Sequence, residues 1–227
     1  MKITLLANCG LAIEQNGNVL LIDAPNGSFA QYEVMPESEL DKICTREAPY
    51  EYGVSLAYTH KHSDHYSSAK VQRVAEAGSL RSFFAPVEET PWHGVFEDFG
   101  GFRLEYFRIE HTPLPPDLMW PHCVYLIEAD GKRIYVTGDA APDAPLHSSF
   151  LAGRRCDCAF WNGQYLSHPE TRVLLHQTAK RNYVYHIPAD DADVMGIRRK
   201  AERNMQRVAD DLYDTELLEK YPTVIEL

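Results

Sequence analysis

The sequence has no CxxC pair and only five cysteines, Cys9, Cys44, Cys123, Cys156 and Cys158. An odd number without that spacing points away from both a disulfide framework and a thiolate zinc site, and it fits a reducing cytoplasm. No apolar run approaches the roughly 18 residues of a membrane span. The opening Met1-Lys-Ile-Thr-Leu-Leu-Ala is apolar, but Asn8, Gly10 and Glu14 interrupt it, so it reads as a first strand and not as a secretory signal. Positive charge is scarce: 22 Lys and Arg stand against 33 Asp and Glu, a formal net charge of −11. Nucleic acid is therefore not expected as a partner, because phosphate binding relies on clustered cations. No linker-like stretch divides the 227 residues, which are read as a single domain, 1–227. At 44% hydrophobic and 24% charged residues, the composition is that of a globular chain with a sizeable core.

Against these absences, histidine is concentrated in one place. The stretch Thr59-His60-Lys61-His62-Ser63-Asp64-His65 sets three imidazoles and a carboxylate within six consecutive residues. Such side chains converge when a cation holds them, and imidazole with carboxylate suits zinc, iron, nickel and manganese. One surface histidine in a polar turn is commonplace, but that reading is poor for a cluster of this density. The preceding Gly53–Thr59 is apolar and β-prone, so the histidines leave the carboxyl end of a buried strand, where open α/β sheets place their sites. From Tyr66 onward, Ala69, Val71, Val74, Ala75 and Ala77 give a helix whose N-terminus lies beside Asp64 and His65, favouring the carboxylate.

Along the chain, residues 2–7, about 11–14 and 18–23 read as strands, with the hairpin signal Asn16-Gly17 between the last two. Residues 24–52 form a long loop bearing Phe29, Tyr32, Tyr50 and Tyr52, with a short helix from Pro36. Strands are expected at 81–85, 101–109, 122–128, 132–137, 156–161 and 182–186, and a patternless Pro-rich loop at 114–121. Helices are expected at 142–153, 169–180 and 190–212. The last has Val194, Ile197, Ala201, Met205, Val208 and Leu212 on one face, and Arg198, Arg199, Lys200, Arg203 and Arg207 on a solvated one. His111, Gly138-Asp139 and His186 each follow an apolar strand. His122 opens a strand instead, so His111 is preferred to it as a candidate ligand. His93, His147, His168 and His176 have no companion at ligand spacing and read as surface or core residues, with His168 the weak candidate for a substrate contact.

The order His-x-His-x-Asp-His, followed by a His after a strand, an Asp after Gly and a strand, and a final strand-end His, resembles the metallo-β-lactamase superfamily from Asp23 to His186. The resemblance implies a four-layer αββα sandwich with the site at one edge. It implies that His60, His62 and His111 hold one divalent metal ion and Asp64, His65 and His186 a second, with Asp139 bridging, zinc being the first choice and Mn, Fe or Ni alternatives. Asp23 would support the site from behind the ligands, although as a strand-end aspartate it is equally an Asx-turn residue.

The implied activity is hydrolysis by a hydroxide held between two metals, with Asp64 and Asp139 as catalytic carboxylates. The substrate would be a small, anionic molecule: a phosphodiester, lactone or other ester. The glyoxalase-type Thr-Pro-Gly-His is absent, since Leu114 follows His111-Thr112-Pro113. No protruding RNA-binding arm is evident, and there is no room for a flavin domain. The alternatives are a non-catalytic metal-binding or regulatory protein and a mononuclear-iron dioxygenase of the same fold.

Overall fold

The computed structural model describes residues 1–29, 31–115, 118–212 and 214–227. Two mixed sheets face each other. In the first, β1 (Lys2–Ala7), β2 (Gly10–Gln15) and β3 (Asn18–Ile22) run antiparallel, and β4 (Val54–Ala57) and β5 (Leu80–Phe84) extend β3 in parallel. The second contains β6 (His93–Phe96), β7 (Arg103–Arg108), β8 (Cys123–Ala129) and β9 (Lys132–Val136) as an antiparallel run. It continues in parallel through β10 (Cys156–Asn162), β11 (Ala179–Tyr185) and β12 (Thr215–Leu217). The C-terminal β13 (Thr223–Glu226) closes the free edge of β1 in the first sheet.

Three apolar layers explain why the sheets stack. Alternate residues of both sheets, among them Ile3, Leu11, Ile22, Tyr125, Phe160 and Tyr185, fill the space between them. On the outer face of the first sheet, Leu40 and Ile43 of α1 (Glu37–Thr45) and Val71 and Val74 of α2 (Ser68–Glu76) pack on Leu21, Leu56 and Tyr58. The second sheet is covered by α3 (Ala144–Leu151), α4 (Pro169–Thr178) and α5 (Ile197–Arg207), through Phe150, Leu174, Leu175 and Ala201. Strands that are apolar on both faces, such as β4 and β10, are the ones sandwiched between a helix layer and the opposite sheet. The result is the expected αββα sandwich. Among the described residues, no helix is long and apolar enough to cross a membrane.

The elements differ from the sequence reading in several places. The helix expected over 190–212 is confined to Ile197–Arg207, because Asp190–Ala192 forms a 3₁₀ turn and Gly196 takes φ 70°. Asp193 then caps the shortened helix, accepting from the backbone N–H of Arg198 and Arg199. Val194 stands exposed outside it, and Arg198, assigned to the solvated face, is 8% exposed and bonded to Pro188 O and Glu219. Strand β11 begins at Ala179, directly where α4 ends, and β6, β12 and β13 are strands that the pattern did not reveal. Within the long loop, Tyr50 is buried and donates to Glu39, while Phe29 and Tyr52 are exposed; residue 30 lies outside the described residues, as do residues 116 and 117 of the Pro-rich loop.

Candidate metal centre

All seven candidate side chains come to one edge of the sandwich: parallel register aligns the ends of β3 with β4 and of β9, β10 and β11, and an isolated antiparallel bridge from His111 to Ala140 brings in His111. Ile22 pairs with Ala57, so Asp23 lies beside the start of the histidine loop, with its N–H bonded to Ala57 O at 3.0 Å. Asn162 pairs with Tyr185 and Phe160 with Val136, which sets His186 and Asp139 at the ends of the two strands that flank β10. The two sheets are joined here by Cys123 N–H donating to Thr59 O at 2.8 Å. Asp23 (φ 52°) and His186 (φ 60°) both adopt the left-handed region, an uncommon conformation for such residues that turns each side chain off its strand toward the edge. Gly138 is left-handed too, and a Cβ there would lie 2.6 Å from Thr59 Oγ1, so only glycine allows the Asp139 turn to approach the histidine loop this closely.

The hydrogen bonds on the outer side of each ring decide what its inner nitrogen can do. A neutral imidazole has one N–H and one lone pair. His62 spends its Nε2–H on Leu118 O at 2.7 Å, His111 its Nδ1–H on Thr112 O at 2.6 Å, and His60 its Nδ1–H on Thr59 Oγ1 at 3.1 Å. His65 turns Nδ1 to Asp23 Oδ2 at 3.1 Å. The opposite nitrogens then face one another: His60 Nε2 and His62 Nδ1 are 2.8 Å apart, His65 Nε2 and His186 Nε2 3.0 Å. His111 Nε2 is buried without a hydrogen-bond partner among the described residues. Lone pairs converging in this way repel unless a cation or proton lies between them, and outer-side bonding of this kind is what orients metal-binding histidines.

Asp139 spans the two groups. One oxygen is 3.3 Å from His186 Nε2, and the other is 3.4 Å from His111 Nε2 and 3.5 Å from His65 Nε2. Asp64 Oδ2 lies 3.3 Å from His186 Nε2, and the Asp64 carbonyl is held by Asn8 at 3.0 Å and Asn26 at 3.2 Å. Ligand-type atoms of His60, His62 and His111 form one compact set; those of His60, His65 and Asp139 form another, and Cys9, His65 and His186 a third. His122 stands apart. Its Nδ1–H donates to Ile109 O at 3.2 Å and its Nε2 accepts the Asp139 N–H at 3.1 Å, so both nitrogens are occupied and it serves as a support for Asp139.

The electrostatics show where positive charge is wanted. Burial, and then the neighbouring His65 and His122, hold His60 well below the ordinary histidine range, and burial likewise depresses His122. His65 and His186 go the other way. Burial opposes their charge, but Cys9, Asp139, Asp23 and Asp64 outweigh it at His65, and Asp139 chiefly does so at His186. With the Cys9 thiol itself pushed up to about 11 by burial, it is neutral near pH 7, and the carboxylates carry that effect. Asp139 is held well below its usual range despite burial, by His186 and His65. The residues present thus fit a cationic centre: six inward-facing imidazole and carboxylate groups surround the Asp139 carboxylate, and where no metal ion is bound the positive charge they call for falls on His65 and His186.

Several contributors were not singled out by the sequence reading. Cys9, on the tight β1–β2 turn, rests its sulfur 3.2 Å from His65 Nδ1. Asn162 holds the carbonyls of Gly138 and Ala140, Tyr185 accepts the Gly138 N–H, and Tyr165 and His147 bond the Ala140–Ala141 carbonyls, so a buried polar set fixes the Asp139 turn. Tyr32, from the long loop, packs its ring edge against His186 at 4.2 Å. Asn162 follows directly on the strand expected at 156–161, a position that could have marked it; Cys9 and Tyr32 carried no such signal. His168 lies on the surface beside Glu170, and His93 pairs with Glu105 away from the centre.

No protein-family model and no curated protein matches the sequence. Solved structures do. An isothiocyanate hydrolase from Delia radicum gut bacteria superimposes with a TM-score of 0.64 at 15% identity, covering 100% of this chain and 99% of that one. The metallo-β-lactamase fold protein YhfI from Bacillus subtilis does so at 0.63 and 14%, covering 99% and 98%. CmlA, a diiron β-hydroxylase from Streptomyces venezuelae, matches at 0.64 and 12%, with the chain covering 54% of it. The chain has the metallo-β-lactamase fold.

Proposed function

We propose that the protein is a metal-dependent hydrolase of small, anionic esters, with phosphodiesters first and lactones second. Residues 1–227 act as one catalytic unit, and the proposed setting is the cytoplasm. His60 Nε2, His62 Nδ1 and His111 Nε2 would hold one divalent ion, Asp64, His65 Nε2 and His186 Nε2 the other, and Asp139 both. The observation that carries this is the buried Nε2 of His111, without a hydrogen-bond partner among the described residues and 3.4 Å from Asp139, while the N–H groups of His60, His62 and His111 are committed outward. When bound, such ions supply Lewis acidity and a water ionised near neutral pH.

The chain's own residues do the rest. Asp139, on the wall of a cavity of about 260 Å³, stays ionised and orients the attacking water through its hydrogens. Asp64 keeps its carboxylate fixed, its backbone clamped by Asn8 and Asn26. Tyr32 covers the outer edge of His186 and limits solvent access there. In the reaction the bond from carbon or phosphorus to the leaving oxygen breaks, the oxygen of water takes its place, and a proton passes to the leaving oxygen.

The net charge of −11 disfavours a long polyanion, whereas a single anionic group can enter a cation-bearing pocket. The test is metal analysis of protein purified without chelator, then turnover on bis-p-nitrophenyl phosphate, a lactone panel, a thioester and a precursor tRNA. Two transition-metal ions per chain, with zinc the first expectation, and turnover of a small ester are expected. Metal content near zero after reconstitution would sink the reading. Fastest turnover of tRNA would overturn the substrate class, and iron with oxygen-dependent turnover would move the protein to an oxygenase.

A further inference from the structure

The cavity beside Asp139 and His186 has a second wall that the hydrolytic chemistry does not use. Helix α5 supplies Ile197, Lys200 and Ala201 to it, and the end of β10 with the turn after it supplies Asn162, Gly163 and Gln164. The mounting of α5 is rigid. Arg198 passes its guanidinium inward to Pro188 O at 2.7 Å and to Glu219 at 3.1 Å, Asp193 caps the first turn, and the Ala201 methyl packs at 3.5 Å from where a Gly163 Cβ would stand. Pro188 is two residues beyond His186, so the wall is tied to the strand end that carries a candidate ligand.

The charges on that wall are distributed unevenly. Arg198 is committed to Glu202 and Glu219, and Arg199 to Asp193. Lys200 has no ion-pair or hydrogen-bond partner among the described residues, and neither does the exposed amide of Gln164. The Asn162 side chain is already spent on Gly138 O, Ala140 O and the Gln164 N–H, which leaves Lys200 and Gln164 as the free polar groups on this side.

We infer that Lys200 seats a carboxylate of the substrate, with Gln164 beside it, and so determines which esters the site accepts. This rests on the hydrolase reading: the exposed Lys200 lines the same cavity as Asp139 and His186, so its ammonium attracts an anionic group of a substrate held there. One ammonium balances one negative charge, which fits a carboxylate. The volume of about 260 Å³ falls below the range of roughly 300–1,000 Å³ usual for larger ligands. The substrate class is therefore a short ester or lactone bearing a separate carboxylate, its reacting carbonyl at Asp139 and His186 and its acid end at α5.

The probes are mono-4-nitrophenyl glutarate and the uncharged 4-nitrophenyl butyrate, with zinc-loaded wild type, Lys200→Met and Lys200→Arg. Lys200→Met is expected to lower kcat/KM for the glutarate ester about tenfold relative to the butyrate ester, with the loss in KM, and Lys200→Arg to retain the preference. Calorimetry should show glutarate binding about tenfold more weakly to Lys200→Met than to wild type. Equal losses on the two esters, or the same glutarate affinity in both proteins, would overturn the assignment. If wild type turns over neither ester, the calorimetric difference alone decides the role of Lys200, and the hydrolase reading is decided separately by the phosphodiester and lactone panel.

Discussion

Asp23→Asn isolates the contribution of the residue behind the ligands. Asp23 is fully buried and accepts three hydrogen bonds: from the Thr59 N–H at 2.7 Å, the Thr59 hydroxyl at 2.8 Å and His65 Nδ1 at 3.1 Å. An amide of the same shape has one acceptor oxygen. Whichever way it turns, an NH₂ group meets either the Thr59 N–H or the His65 Nδ1–H. The ring escapes the second clash by moving its proton to Nε2, the atom that faces His186, and an imidazole protonated there cannot bind a metal. Losing a hydrogen bond to a charged acceptor costs about 1.5–3 kcal/mol, which corresponds to a loss of about 10–150-fold in affinity at the second ion site. Competition against a chromophoric chelator would measure it, with circular dichroism to verify the fold. The first site, built on His60, His62 and His111, should lose much less. Wild-type affinity for both ions in a folded Asp23→Asn protein would refute the argument that Asp23 sets the tautomer of His65.

Asp139→Asn should weaken at least one ion site and abolish hydrolysis while the protein stays folded, because an amide cannot offset two neighbouring cations; wild-type turnover would show that Asp139 does not bridge. Glu105 offers a test of the scaffold away from the centre. Despite burial, hydrogen bonds from Arg154, His93 and Arg103 hold its carboxyl at about 2, against an ordinary value of 4.5. A depressed folded-state pKa stabilises above the unfolded value, and that stability is lost as pH falls from about 4.5 through about 2. With its partners partly solvated, the contribution is about 1–2 kcal/mol. Urea midpoints of wild type and Glu105→Gln should therefore differ at pH 6 and converge toward pH 2.5, and a gap independent of pH would count against the ion-pair account.

What the sequence disclosed, and what it withheld, follows from how local each signal is. The His60–His65 run, Gly138-Asp139 and His186 were legible because each sits at the end of an apolar strand, and strand ends in parallel register meet in space. The choice of His111 over His122 was pattern-level. Its physical basis, one ring nitrogen left bare and another ring fully bonded, exists only once Ile109 O and the Asp139 N–H are brought to His122.

Helix α5 shows the limit from the other side. An amphipathic period over 190–212 is a statement about side chains, but Gly196 and the Asp193 cap are statements about the backbone, and they shortened the helix to Ile197–Arg207. That shortening bears on the basic residues. The observed start buries Arg198 against Pro188 and Glu219, whereas Arg199, near Asp193, and Lys200, on the cavity wall, stay exposed as expected of the solvated face. The three basic residues thus do not share one environment, and composition alone cannot separate them.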